Sequence, residues 1–275
     1  MAISLSCPPG SQLERLRQTT PLVHNITNHV AMTPSANTLL AIGASPLMAH
    51  ALEEIQDIVR VADVLCINIG TLSVPWIEAM QLAAEAAHLA GKPWVLDPVG
   101  VGASLLRQQT CRVLLDHQPS VIRGNASEIL ALAGEASQSR GVDSGDDAED
   151  AIVRATQTAI SLAQQHGCVV AMTGLVDVVT DGKQLIRITG GHPLMGRVTA
   201  MGCALSSVVA AFIAANDEPL SATASALACY AYAGECAGYH ATGPGSFVPA
   251  FLDTLYTLDG ETPPLETRME ITNVA

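Results

Sequence analysis

The sequence predicts an α/β protein built on a mostly parallel sheet that crossover helices cover. Short β-branched or apolar runs alternate with longer helical patterns rich in Ala and Leu, which is typical of strands joined by crossover helices. Hydrophobic residues make up 49% of the 275 positions, enough to bury a large core. Since no repeat, low-complexity tract or linker interrupts the pattern, we expect a single domain over residues 1–275.

Four apolar runs are the clearest candidates for parallel strands. Each ends in Gly, Asn or Asp-Pro, and ligands of open α/β sheets bind where the carboxyl ends of the strands lie. The residues that end these runs are therefore candidates for a site. The runs are VLCINIG (64–70), PWVLDPV (93–99), SVIRGN (120–125) and CVVAMTG (168–174).

The helical patterns follow in order. The stretch at 32–43 predicts a helix between polar or small-residue turns at 24–29 and 43–48, and the stretch at 75–91 has Pro near its start and Gly as a stop. The acidic stretch at 141–167 becomes periodic, which places Asp146 to Asp150 near a helix N-terminus.

The pattern changes after residue 174. Two alternating runs around Asp181-Gly182 predict a hairpin, so the sheet gains antiparallel strands late. From Met201 onward the chain is predicted to be helical over 202–215, 219–240 and 247–258.

Charge and cysteine content exclude several classes of protein. A net charge of −13 with only thirteen Lys and Arg argues against nucleic-acid binding. No stretch approaches the length of an apolar membrane span, and the N-terminus does not resemble a secretory signal. Seven scattered cysteines without CxxC spacing predict reduced thiols rather than disulfides or structural zinc, and hence a cytoplasmic protein.

Residues 198–203 run from a turn directly into an Ala/Val-rich helix. Successive backbone N–H groups at such a helix start form an anion site. The positive end of the helix dipole predicts a lowered pKa for Cys203, which would let it act as a base or nucleophile. The stretch alone leaves open that Cys203 is a small buried residue of a tight turn.

Two further segments carry acids at strand ends. Asn125 and Glu128 have the spacing of a helix cap, and the same spacing also suits a carboxylate facing hydrated Mg²⁺. Arg123 is placed to bind phosphate oxygens, and Asp97 ends a buried strand, where it is either a turn former or a second metal ligand. Two acids, an arginine and an anion site together indicate phosphoryl transfer.

Eight blocks then follow one another in the order and spacing of a known family. They are LVHNITNHV, LLAIGASPLMA, LCINIGTL, VLDPVGVGA, IRGNASEILALAG, AMTGLVDVVTDG, MGCALSSVVAA and GPGSF. Over nearly its whole length the chain resembles bacterial hydroxyethylthiazole kinases. The resemblance implies a ribokinase-like, three-layer α/β/α fold. It also implies transfer of the ATP γ-phosphoryl group to the primary hydroxyl of 4-methyl-5-(2-hydroxyethyl)thiazole in thiamine salvage, by a homotrimer with active sites between subunits.

The resemblance also assigns roles to residues of this chain. Cys203 corresponds to the family's cysteine at the substrate hydroxyl and is the expected catalytic residue. The remaining assignments are substrate binding by Met48, Ala200 and Asn28, ATP binding by Arg123, Thr173, Met201 and Gly202, and Mg²⁺ binding by Asp97 and Glu128.

The chain departs from the family pattern at two places. Ala200-Met201-Gly202-Cys203 stands where the family reads Gly-Thr-Gly-Cys or Gly-Ala-Gly-Cys, and Leu175 replaces the acid usual after Thr-Gly. If position 200 needs a positive φ, Ala is strained where Gly is not. The alternatives are a kinase of another small alcohol such as hydroxymethylpyrimidine, a nucleotide-repair dehydratase of the same fold, and a thiazole-binding protein with weakened catalysis.

Overall fold

A nine-stranded sheet forms the centre of the molecule. The computed structural model describes residues 5, 7–135, 145–260 and 265–274, without the side chains of 145–149. The strands are β1 (Leu22–Ile26), β2 (Ser45–Met48), β3 (Val64–Asn68), β4 (Trp94–Asp97), β5 (Val121–Asn125), β6 (Val169–Thr173), β7 (Asp177–Thr180), β8 (Gln184–Ile188) and β9 (Met269–Asn273). Their order is β2-β1-β3-β4-β5-β6-β7-β8-β9.

The predicted change from parallel to antiparallel pairing is confirmed. Strands β1 to β6 pair in parallel, whereas β7, β8 and β9 join antiparallel. The hairpin of β7 and β8 turns at Gly182, whose φ of +83° favours glycine. The carboxyl ends of the parallel strands therefore meet along one edge of the sheet.

Helices cover both faces of the sheet and make three layers. They are α1 (Pro9–Thr19), α2 (Met32–Ile42), α3 (Ile55–Val61), α4 (Val74–Leu89), α5 (Leu105–Leu115), α6 (Ala126–Leu132), α7 (Gly145–His166), α8 (Met201–Ala215), α9 (Pro219–His240) and α10 (Pro244–Thr257). The cores on the two faces show that α1, α2, α8, α9 and α10 cover one side and α3 to α7 the other. The predicted α/β/α architecture is confirmed.

The strands serve both layers because their side chains alternate between the two faces. In β3, Cys66 packs toward the layer of α8, whereas Leu65 and Ile67 pack toward the layer of α4. All five residues of β3 are buried. Burial on both faces explains why the strand is apolar at every position before Asn68.

The turns predicted at 24–29 and 43–48 are only partly confirmed, because β1 occupies 24–26 and β2 occupies 45–48. Polar residues within β1 suggested a turn, yet they are buried with hydrogen-bond partners. His24 Nε2 lies 2.9 Å from the carbonyl oxygen of Ala49, and Asn25 Oδ1 accepts a 2.7 Å hydrogen bond from the Ser207 hydroxyl.

The remaining helices differ from prediction mainly at their ends. The last helix begins at Pro244, where Pro is tolerated in a first turn, rather than at 247. Helix α7 begins at Gly145, so Asp146 to Asp150 lie in its first turns as predicted, while residues 141–144 and the side chains of 145–149 lie outside the described residues. No helix in the described ranges is long and apolar enough to cross a membrane.

Candidate active site

Five strand ends converge on the first turn of α8. Thr27 and Asn28 follow β1, three side chains come from the last residues of other strands, Asn68 of β3, Asp97 of β4 and Thr173 of β6, and Arg123 lies two residues before the end of β5. Because α8 packs across β1, β3 and β4, its N-terminus lies over this edge of the sheet. The fold therefore brings four of the predicted site residues, Asn28, Asp97, Arg123 and Thr173, to one place.

The backbone at the start of α8 is set by Ala200. Its φ is +64°, so it occupies the left-handed region that glycine adopts more easily. Ala200 has no side-chain acceptor, and the N–H groups of the first turn remain directed outward from the helix. The Tyr230 hydroxyl donates a 2.7 Å hydrogen bond to the Met201 carbonyl and fixes this turn from α9.

Cys203 lies within that turn and is half-buried. Its sulfur accepts a 3.4 Å hydrogen bond from Asn28 Nδ2. Burial, and then the carboxylate of Asp97, raise the pKa of the Cys203 thiol above its usual range. The predicted lowering of this pKa is therefore wrong: loss of water and the nearby Asp97 carboxylate outweigh the hydrogen bonds of Asn28 and Asn68 and the charge of Arg123, which lower it.

Asp97 is fully buried beneath the start of α8. Its Oδ2 accepts hydrogen bonds from Asn68 Nδ2 at 2.6 Å and from the Ser206 hydroxyl at 2.8 Å, while Oδ1 has no partner among the residues described. Burial raises the pKa of Asp97 to about 6, an effect that Glu128 adds to and Arg123 opposes.

Arg123 and Thr173 form a pair beside Gly202. Arg123 Nη2 donates a 2.6 Å hydrogen bond to Thr173 Oγ1, and the guanidinium is almost entirely buried. A Cβ at position 202 would lie 2.7 Å from Arg123 Nη1, so glycine leaves the room for this arginine against the helix. The structure thus brings together three of the four residues predicted to bind ATP.

A cavity of about 640 Å³ opens next to this pair. Arg123, Thr173, Met201 and Gly202 all line it, which places the four predicted ATP-binding residues around one space. Leu175 lies on its rim with its side chain 93% exposed. A concave space bordered by an arginine and a helix N-terminus is chemically suited to a polyphosphate.

Glu128 caps α6 in the way its spacing predicted. Asn125 Oδ1 accepts from the Glu128 amide at 3.0 Å, and Glu128 Oε2 accepts from the Asn125 amide at 2.8 Å, which completes a capping box. Glu128 Oε1 also accepts a 2.9 Å hydrogen bond from the Gly100 amide. The carboxylate therefore joins the start of α6 to the loop that follows Asp97.

Arg107 of α5 holds the loops that follow β3 and β4. Its guanidinium donates to the carbonyl oxygens of Ile69 at 2.9 Å, Gly70 at 2.7 Å and Val99 at 2.5 Å. One side chain thus fixes the loops next to Asn68 and Asp97.

Met48 lies apart from the cavity. It ends β2, is half-buried, and pairs with Asn25 at the edge of the sheet. Substrate binding by Met48, Ala200 and Asn28 stays a prediction.

Three residues of the site were not singled out by the sequence. Asn68 and Ser206 bind Asp97, and Asp177 lines the cavity while its Oδ1 accepts a 2.9 Å hydrogen bond from the Gly174 amide. Ser206 follows Cys203 by three residues on the same helix face, and this spacing was the available signal. Asn68 lies near the end of the run predicted at 64–70 and ends β3, as Asp97 ends β4.

Comparisons with known proteins agree with this geometry. The model of the hydroxyethylthiazole kinase family matches residues 13–261. A hydroxyethylthiazole kinase of Rhizobium rhizogenes is 52% identical over 262 residues, which cover 95% of this chain and 96% of that protein.

Solved structures give the same result. A hydroxyethylthiazole kinase protein from Pyrococcus horikoshii is 40% identical, with a TM-score of 0.86 over 97% of this chain and 99% of that one. A ribokinase-like superfamily protein from Enterococcus faecalis, 14% identical with a TM-score of 0.57 over 94% of this chain and 93% of the other, shows the fold alone. The ribokinase-like fold is confirmed.

The strain at Ala200 predicts that Ala200→Gly stabilises the protein. Glycine adopts a φ of +64° without a Cβ clash, which outweighs its larger loss of backbone entropy and gives a gain of about 1 kcal/mol. Urea unfolding measures the difference. Ala204→Gly, on the same helix but in its interior, serves as a control and is expected to lose about 1 kcal/mol. A destabilised Ala200→Gly protein would show that the turn is not strained.

Asp177 predicts a specific pH dependence of stability. Burial raises its pKa from 3.8 to about 6, so the folded state holds the proton more tightly than the unfolded state, and stability is lost as the pH rises from about 4 to about 6. In Asp177→Asn this dependence disappears. Between pH 4 and pH 7, the wild type should lose about 1–2 kcal/mol of unfolding free energy relative to the variant.

Urea unfolding at several pH values measures this relative loss. Asp253→Asn, at an exposed position of α10, is the matched control. Parallel pH curves for wild type and Asp177→Asn would contradict the expected burial effect.

Proposed function

This chain belongs to the hydroxyethylthiazole kinase family, and from that premise we propose that it transfers the γ-phosphoryl group of ATP to the primary hydroxyl of 4-methyl-5-(2-hydroxyethyl)thiazole. The reaction is a step of thiamine salvage. The observation that carries this proposal is the convergence of Asp97, Arg123 and Cys203 on the first turn of α8. An anion site, a buried carboxylate and a cation gathered at one helix start are what phosphoryl transfer requires.

The phosphate groups of ATP are proposed to lie between Arg123 and the start of α8. The buried guanidinium supplies charge-assisted hydrogen bonds, and the amides of Met201, Gly202 and Cys203 supply N–H donors at the positive end of the helix. Thr173 holds the guanidinium in place. These donors are fixed before the reaction, so little reorganisation is needed as charge develops on the transferred group.

A divalent metal fits the acidic side of the site, and we propose that it is Mg²⁺. Asp97 Oδ1 is buried without a described partner, and each Glu128 oxygen accepts only one hydrogen bond from the described residues, which leaves lone pairs for a metal or for its water ligands. Mg²⁺ characteristically takes one or two carboxylates together with water and phosphate oxygens. When bound, it would neutralise negative charge on the phosphates.

Cys203 is proposed to orient the alcohol rather than to act as a strong base. Its raised pKa keeps the thiol protonated at neutral pH, and Asn28 fixes the sulfur by hydrogen bonding. Phosphoryl transfer passes through a loose transition state in which positioning and charge stabilisation outweigh base strength. Asn28 is proposed to act on the substrate through Cys203.

We also propose a homotrimer with active sites between subunits and a cytoplasmic location. Met48 lies on β2, an edge strand of the sheet, where a neighbouring subunit would complete the binding surface for the thiazole ring. All seven cysteines are free, which supports a reducing compartment.

The proposal is tested with purified protein, Mg-ATP and the thiazole alcohol, by following ADP release and the phosphorylated product. Turnover of the thiazole alcohol supports it. Activity only on hydroxymethylpyrimidine would favour the related alcohol kinase, and binding of thiazole without turnover would favour weakened catalysis.

Cys203→Ser is expected to keep measurable activity. Serine preserves a small polar group at the alcohol, so kcat should fall by about 10- to 100-fold rather than vanish. Steady-state kinetics with the same assay measure this, and Cys7→Ser provides a control for loss of a partly exposed thiol. Complete loss of turnover in a folded Cys203→Ser protein would show that the thiol itself carries the chemistry.

A further inference from the structure

We propose that Asn68 is a positioning residue that joins the buried carboxylate of Asp97 to the thiol of Cys203 through the amide of Asn28. This inference rests on the proposed kinase function. It concerns a chain of four side chains from β3, β4, α8 and the loop after β1. Three of them, Asn28, Asn68 and Asp97, are 5%, 1% and 0% exposed, so water does not substitute readily for their hydrogen bonds.

The orientation of the Asn28 amide is fixed by the backbone. Its Oδ1 accepts hydrogen bonds from the amides of Val30 and Ala31, both at 3.0 Å. A flipped amide would place N–H groups against these two donors, so Nδ2 must face the other way. There it donates to Asn68 Oδ1 at 2.8 Å and to Cys203 Sγ at 3.4 Å.

The orientation of Asn68 is fixed in the same manner. Its Oδ1 accepts from the Gly70 amide at 2.9 Å as well as from Asn28, and its Nδ2 donates to Asp97 Oδ2 at 2.6 Å. Asn68 is therefore the residue that contacts both Asn28, on the side of the thiol, and Asp97, on the side of the carboxylate. An aspartate would keep the acceptor but place a second carboxylate against Asp97, which makes the donor nitrogen specific to asparagine.

Gly70 leaves the space that this arrangement needs. A Cβ there would lie 2.6 Å from Asn28 Nδ2. The loop after β3 thus leaves room for the Asn28 amide and donates the Gly70 N–H to Asn68 Oδ1.

The direction of the hydrogen bonds determines what Cys203 offers to the alcohol. Because Sγ accepts an N–H from Asn28, the thiol keeps its own proton available to donate to the substrate hydroxyl. A displacement of about 1 Å at a reacting centre lowers rates by about 100-fold. Breaking the hydrogen bonds among these four side chains would shift the Cys203 thiol, so it lowers kcat more than it weakens ATP binding.

Asn68→Asp and Asn68→Leu test the inference. Both variants should lower kcat by about 10- to 100-fold while KM for ATP changes by less than about threefold. Combining Asn68→Asp with Cys203→Ser should cost little more than the worse single change, because Asn68 acts through Cys203. Asn216→Leu, which removes another buried asparagine at the far end of α8, is the control and should keep kcat unchanged.

A second readout does not depend on turnover. Alkylation of Cys203 by iodoacetamide, followed by peptide mapping with Cys7 as internal reference, should slow by at least about threefold in both Asn68 variants, since Asn68 no longer holds Asn28 Nδ2 in place against the sulfur. Unchanged alkylation of Cys203, or additive effects in the double variant, would overturn the role of Asn68. Absence of turnover in the wild type would instead refute the proposed function and leave the alkylation result to judge Asn68.

Discussion

The buried carboxylate of Asp97 is the constraint on which the site depends. It ends β4, accepts from Asn68 of β3 and from Ser206 of α8, and so holds two strands and one helix in a common geometry. Burial makes its charged form unfavourable, as the pKa of about 6 shows. A neutral side chain would be easier to bury here. We therefore expect the acid to serve the chemistry of the site rather than the stability of the fold.

The start of α8, like the buried Asp97, has features that are unfavourable for the stability of the fold. Ala200 adopts a left-handed conformation that glycine adopts more easily. Gly202 has no side chain, which leaves room for Arg123 to lie against the turn. As a result, the start of α8 and the guanidinium of Arg123 border the same cavity. Local strain and a buried cation are acceptable where the surrounding layers of α9 and the sheet fix the backbone.

Most of the fold and part of the site were accessible from the sequence. The strands β3 to β6 are buried on both faces, so their apolar runs predicted them correctly. The strands β1 and β2 were missed. In β1, the polar His24 and Asn25 are buried because other residues satisfy their hydrogen bonds. Asp97, Arg123 and Glu128 were found because they lie at or near the ends of strands or the starts of helices. The raised pKa of Cys203 was not predictable, since burial and the approach of Asp97 depend on residues distant in sequence. The role of Asn68 was hidden for the same reason.

The most direct measurement compares turnover and stability in Asp97→Asn. Asparagine fills the same space, accepts from Asn68 and Ser206, and removes the buried charge. If Asp97 is kept for function, kcat should fall by at least about 100-fold while the free energy of unfolding at pH 8 stays equal or rises. Turnover within about threefold of wild type, or a loss of stability above about 2 kcal/mol, would contradict the view that this carboxylate serves catalysis at the expense of the fold.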